Sequence, residues 1–197
     1  MALRGDAMKE QKYFEPIEGG HRYASDLVKQ INELNSGKYL HETMDGKYSS
    51  DFCIGVAGYP EKHMEAPSMN YDLKMLKQKV DARADYVVTQ MFFDNQKFLD
   101  FVKAAREIGI NVPIIPGIKP IATKKHLQLL PHVFKIDLPE DLIDAVTECK
   151  NIDAVRQVGI EWSIQQCKEL LKAGVPVLHF YSMGKSDNIK AIAEAVF

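Results

Sequence analysis

Ile54-Gly-Val-Ala-Gly-Tyr-Pro-Glu-Lys-His-Met-Glu-Ala-Pro67 and, one helical stretch later, Tyr86-Val-Val-Thr-Gln-Met-Phe-Phe-Asp94 decide the fold of this chain. Each begins as a short apolar run and ends in glycine, aromatic and polar residues. Between them Leu73, Leu76 and Val80 recur at i, i+3 and i+7, the spacing of one helical face, and Ser68 or Asn70 can cap that helix. Strand, helix and strand in this order make a right-handed parallel crossover. In parallel α/β proteins the C-terminal ends of neighbouring strands converge, and the chemistry sits at that end.

The same alternation extends in both directions. Strands are expected over residues 52–58, 86–92, 112–115 and 175–181, with a further one over residues 1–3. Their apolar residues often stand at successive positions, as they do where both faces of a sheet are buried. Helices are expected from about 23 to 34, from Asp94 or Asn95 to a closing Gly109, and over 186–196. Phe98, Phe101, Val102 and Ala105 form the apolar face of the second of these. A longer helical region precedes the last strand. It holds Pro139 in a permitted first-turn position after Asp137, and ends in a helix with Trp162, Cys167, Leu170 and Leu171 inward that stops at Gly174. The fold class is α/β: about five strand–helix units on a parallel sheet, in a single domain over residues 1–197. Residues 35–50, rich in Ser, Gly, Asn, Asp and Lys, read as a surface insertion.

Composition narrows the function. A formal net charge of -2 over 197 residues, with no basic run of five or more, argues against nucleic acid as a partner. No apolar stretch approaches ~18 residues, so no membrane span is expected. The N-terminus lacks a signal-peptide pattern. Cys53, Cys149 and Cys167 form no CxxC pair; Cys53 and Cys167 read as buried small hydrophobes, and reduced thiols fit a cytoplasmic protein. The six histidines never take a ligand spacing, so no metal site is expected. Neither GxGxxG nor GxxxxGK[ST] follows any strand, so the usual nucleotide folds have no fingerprint.

Several polar residues stand at strand ends. Arg4-Gly5-Asp6 closes the first, where Asp6 can stabilise a turn; a cell-adhesion role for that tripeptide has no secretory feature beside it. Tyr59 and His63 flank Pro60 after the next strand. Asp72 falls in a first helical turn, where the helix dipole favours a carboxylate, and Lys79 lies two turns on along the same face. Gln90, among Val87, Val88 and Phe92, is expensive to bury without partners. It serves either a structural hydrogen bond or a ligand edge that needs both a donor and an acceptor.

Six stretches in order, Leu3-Arg-Gly-Asp6, Tyr23-Ala-Ser-Asp-Leu27, Val56-Ala-Gly-Tyr-Pro-Glu-Lys-His63, Thr89-Gln-Met-Phe-Phe-Asp94, Ile114-Ile-Pro-Gly-Ile118 and His179-Phe-Tyr181, resemble the 5,10-methylenetetrahydrofolate reductase family. The resemblance runs from Ala2 to the C-terminus. It implies an eight-stranded (β/α)8 barrel that carries FAD and reduces methylenetetrahydrofolate with NADH or NADPH, by ping-pong hydride transfer. It assigns Leu3, Arg4, Gly5, Asp6, Tyr23, Ala24, Ala57, Tyr59, His63, Ala66, Asp72 and Lys79 to the flavin. Asp6 would tune hydride transfer and touch the folate, Gln90 would read the pterin, and Lys185 would hold a folate carboxylate. Gln78, Met75, His126 and Lys185 stand where many members of the family carry other residues. A homo-oligomer is compatible with the resemblance.

A full barrel of this kind usually takes about 250 residues. The resemblance therefore implies a partial barrel. The first three strand–helix units, with the glutamate that acts as general acid, are expected to have no counterpart in residues 1–197, as in a truncated reading frame or a fragment. Two rivals follow: a non-catalytic remnant that depends on a partner to cover its sheet edges and is flavin-poor alone, and another one-carbon barrel enzyme such as a folate methyltransferase, which lacks its zinc-binding cysteines here.

Overall fold

The computed structural model describes residues 1–5, 7, 11, 14–44, 46, 48–184 and 186–197. Four strands, β1 (Gly55–Gly58), β2 (Tyr86–Met91), β3 (Ile114–Ile118) and β4 (His179–Phe180), form one parallel sheet in that order. Helices α1 (Ala24–Asn35), α2 (Met69–Asp81), α3 (Asn95–Glu107), α4 (His126–Phe134), α5 (Glu140–Glu148), α6 (Ile152–Lys172) and α7 (Asp187–Val196) surround it. Parallel strands in sequential order, joined by helical crossovers, are consecutive units of a (β/α)8 barrel. The chain is a partial barrel of this type.

Register explains the two faces of the sheet. Val56, Val87 and Ile114 stand side by side and pack with Leu73, Leu76, Phe98 and Phe101 from the helices. Each such side chain fully buried contributes ~1.5–3 kcal/mol. The next row, Ala57, Val88 and Ile115, faces the other way, and Ala57 and Ile115 are only half-buried. A second apolar cluster of Met91, Phe93, Ile121, Leu130, Leu142 and Val155 joins the ends of β2 and β3 to α4, α5 and α6. Here α6 comes so close that a Cβ on Gly159 would lie 1.9 Å from the Ile121 carbonyl oxygen.

The helix starts follow the sequence signals. Ser68 Oγ accepts from Tyr71 N at 3.2 Å, and Asp94 Oδ1 accepts from Gln96 N at 2.8 Å. Gly109 closes α3 with φ of 80°.

The strands depart from expectation for local reasons. Residues 1–3 make a single bridge, Ala2 to Val56, with Ala2 N donating to Gly55 O at 2.7 Å. The strand expected from 52 begins at Gly55, because the Asn35 carboxamide takes both backbone groups of Phe52, at 2.9 and 3.0 Å. Cys53 is therefore exposed, not buried, whereas Cys167 is buried. The strand expected over 112–115 lies at Ile114–Ile118: Pro113 has no N–H to donate, and its carbonyl accepts from Val87 N at 2.8 Å. Of the strand expected over 175–181, only His179 and Phe180 pair with β3. Val175 N still closes α6 on Leu170 O at 3.0 Å, and Pro176 lacks a donor. Pro139 is the residue that caps α5 and stands just before its first turn. At the end of the 35–50 segment Ser50 returns to the end of α1, its N donating to Leu34 O at 3.3 Å. Among the described residues, no helix is long and apolar enough to cross a membrane, and no group of three or more His, Cys, Asp or Glu could hold a metal ion.

Candidate functional site

The loop that leaves β1 folds around its own polar groups. Lys62 N donates to Tyr59 O at 3.0 Å with Lys62 in the left-handed region, φ 77°. This turn sets the Tyr59 and His63 rings edge to face, with centroids 4.6 Å apart. Asp72, almost buried in the first turn of α2, accepts from His63 N at 2.9 Å. Glu65 N donates to His63 Nδ1 at 3.1 Å, so Nδ1 is the unprotonated nitrogen. Burial holds the His63 pKa below the ordinary histidine value, with Asp72 and Glu65 opposing and Arg4 and Lys79 assisting.

Three cations converge on this loop. Arg4 pairs with Glu65 at 2.6 Å and lies 4.9 Å from the centroid of the Phe14 ring. The Glu65 hydrogen bond raises the Arg4 pKa, and Tyr59 and Tyr23 contribute charge effects that place both rings nearby. Lys62 Nζ donates to Ala66 O at 2.6 Å and to His63 O at 3.2 Å. Lys79 Nζ donates to Ala57 O at 2.5 Å. Burial pushes the Lys79 ammonium down to about 8, against the opposing pull of Asp72. In a parallel ladder that starts with Ala2 N on Gly55 O, Ala57 O would be the next acceptor on that edge. The Lys79 ammonium takes the place of a backbone donor there.

Arg4, Tyr23, Tyr59, His63, Ala66, Asp72 and Lys79 are thus brought into one neighbourhood. Ala57 lies beside it through its carbonyl, and Ala24 is the first residue of α1, directly after Tyr23. Leu3 is exposed, and Gly5 has no atom within 4 Å of where a Cβ would sit. Gln90 is half-buried near the end of β2, and its Oε1 accepts from Met91 N at 3.0 Å. It shares the C-terminal rim of the sheet with the β1 loop but makes no hydrogen bond to it. Asp6 and Lys185 lie outside the described residues.

Two features escaped the sequence. Lys119, just past β3, is half-buried with no carboxylate partner among the described residues, and burial lowers its pKa. Burial first, and Lys119 after it, lowers the pKa of His126, whose Nδ1 accepts from Ala122 N at 3.2 Å. A lysine between the apolar residue that ends a strand and a proline was the available signal. The second is Glu61, with a side chain only 8% exposed. It receives Lys97 Nζ at 2.5 Å and Asp137 N at 2.9 Å, while Lys97 also reaches Asp137 at 2.6 Å. This cluster ties the β1 loop to α3 and to the segment before α5.

Comparison with known proteins matches residues 1–196 to a family model described as methylenetetrahydrofolate reductase. "Methylenetetrahydrofolate reductase 1" of Schizosaccharomyces pombe is 38% identical over 195 residues, covering 98% of this chain and 30% of that protein. "Methylenetetrahydrofolate reductase (NADH) 1" of Zea mays is 39% identical over 193 residues, covering 93% of this chain and 30% of that protein. The chain thus spans about a third of the length of these relatives. A solved structure, described as an uncharacterized protein from Clostridium thermocellum that binds two copies of 5-methyl-5,6,7,8-tetrahydrofolic acid, aligns with a TM-score of 0.53 at 18% identity. It covers 96% of this chain and 64% of that one, and shows a shared fold.

Proposed function

Since the chain belongs to the methylenetetrahydrofolate reductase family, we propose that its strand-end rim is the flavin- and folate-facing part of a reductase that converts 5,10-methylenetetrahydrofolate to 5-methyltetrahydrofolate through FAD, with NADH or NADPH as co-substrate. The observation that carries this reading is the state of the cations. Among the described residues, Lys62 and Lys79 donate only to backbone carbonyls. No carboxylate among those residues is hydrogen-bonded to either ammonium, and two aromatic rings lie beside them. A flat ring joined to a diphosphate is complementary to that donor set.

The residues present fit the flavin, and each has a chemical task. Tyr59 and His63 offer ring surface, while Ala57 and Ala66 are small enough for close approach. Lys79, Lys62 and the α2 N-terminus supply positive potential for phosphate. Bound there, FAD supplies hydride chemistry that no side chain of this chain provides. Asp6, in this reading, places a negative charge that disfavours an anionic reduced ring and contacts the folate. Gln90 holds the pterin, and Lys185 and Lys119 suit the carboxylates of the folate tail. With its Nδ1 engaged, His126 offers only Nε2.

A second reading has its own support. Among the described residues, the outer edge of β1 carries the single Ala2 bridge and the Lys79 ammonium, and β4 makes only two ladder pairs. Such edges invite another strand. On that reading the chain is a partner-dependent fragment without turnover of its own. The test is formation of 5-methyltetrahydrofolate from 5,10-methylenetetrahydrofolate by the full chain supplied with FAD and a reduced nicotinamide nucleotide. Product that disappears in D6N supports the reductase reading; FAD binding without any product supports the fragment.

A further inference from the structure

The register of β2 against β3 breaks between Val88 and Met91, so Thr89 and Gln90 stand in a bulge. A bulge leaves backbone groups without ladder partners, and buried ones are costly to leave unpaired. Here side chains supply the partners. Gln90 Oε1 accepts from Met91 N at 3.0 Å, and Thr89 Oγ1, fully buried, accepts from Gly117 N at 3.0 Å. The Thr89 carbonyl accepts from Tyr181 Oη at 2.8 Å. Tyr181 reaches it from just beyond β4, held by its own N–H on Ile118 O at 2.9 Å and by an edge-to-face contact with His179 at 4.8 Å. Gly117 on the intervening strand leaves the path open. A Cβ there would sit 2.3 Å from Thr89 O and 2.6 Å from Tyr181 Cε2.

The bulge also settles which way the Gln90 carboxamide is turned. Met91 N–H can meet only an acceptor, so Oε1 faces the backbone. Nε2 then has no partner among the described residues. We propose that Tyr181 and Gly117 are positioning residues that fix the β2 bulge so that Gln90 presents its Nε2 donor, and that Gln90 therefore recognises a hydrogen-bond acceptor on the ligand. A ring carbonyl or an unprotonated ring nitrogen has the chemistry required. Oε1 keeps its second lone pair, so a donor beside that acceptor on the same ligand edge is also accommodated. The identity of the ligand rests on the folate reading; the positioning itself does not.

The test compares the full chain with Y181F, Q90A and the double variant by NMR and by titration with 5-methyltetrahydrofolate. In Y181F, hydrogen exchange at the Met91 amide should accelerate about tenfold, the effect of one lost hydrogen bond, and the Gln90 carboxamide resonances should move toward free-amide values. Affinity should fall about tenfold in Y181F, and the double variant should bind no more weakly than Q90A alone. Unchanged Met91 exchange with unchanged Gln90 resonances in Y181F would overturn the proposal, as would affinity losses that add. On the unaltered chain, a slowly exchanging Tyr181 hydroxyl proton close to Gly117 is expected, and its absence also overturns the proposal. A wild-type chain that fails to bind 5-methyltetrahydrofolate sinks the folate reading alone, and the NMR comparison still decides the positioning.

Discussion

Lys79 gives its buried ammonium to the carbonyl of Ala57 at 2.5 Å, so on the outer edge of β1 it completes a strand rather than an ion pair. Desolvation lowers its pKa from 10.5 to about 8. Below about pH 8 the ammonium is charged in both folded and unfolded chains, and its burial costs stability in full. Between about 8 and 10.5 the folded chain has lost the proton and the unfolded chain has not, so unfolding free energy rises with pH. Urea titrations should show the wild type gaining about 2–3 kcal/mol over K79M across that window. Parallel curves for the two chains would mean that Lys79 is solvated.

His63 has its pKa lowered by burial first, with Asp72 raising it. The folded chain therefore prefers neutral imidazole, and stability that is present above pH 6.5 is lost as pH falls toward the lower folded value. NMR titration should place His63 below its ordinary 6.5. D72N, which can still accept from His63 N, should lower it further. A His63 pKa that rises in D72N would contradict this electrostatic arrangement.

Glu61 is nearly enclosed, and its Oε1 has no hydrogen-bond partner among the described residues. Desolvation raises its pKa, against Lys97 and the Asp137 backbone N–H. Removing Lys97 leaves that carboxylate uncompensated, so K97M should destabilise the chain by about 2 kcal/mol, while K97M with E61L should recover most of the loss. Equal stability of wild type and K97M, by thermal unfolding, would show that the ion pair contributes nothing.

Gly159 marks the close approach of α6 to the segment after β3. A methyl group 1.9 Å from a backbone oxygen cannot be absorbed by side-chain rotation. G159A should cost about 3 kcal/mol or more in chemical denaturation. A loss below about 1 kcal/mol would mean that α6 can slide outward freely.

The parallel architecture was legible because the apolar faces of α2 and α3 repeat at i, i+3, i+7 and both helix starts carry their own caps, Ser68 and Asp94. Strand ends were less legible. Asn35 captures Phe52, and prolines 113 and 176 remove donors, and both effects depend on partners distant in the chain or on ladder phase. Tyr59, His63, Asp72 and Lys79 were readable as a group because one loop and one helix carry all four. The Lys79–Ala57 bond, the Glu61 cluster and the Tyr181–Thr89 contact were not, since they join residues 22 to 92 positions apart. Periodicity carries no trace of such distant partners.

The most direct measurement is the titration of the purified full chain with FAD, followed by flavin fluorescence, in wild type, Y59A and K79M. Saturable quenching that weakens at least about tenfold in each variant, or ~1.4 kcal/mol, is expected if the β1 loop and Lys79 hold the flavin. Quenching that does not saturate, or that is indifferent to both substitutions, would contradict the assignment of this rim to FAD.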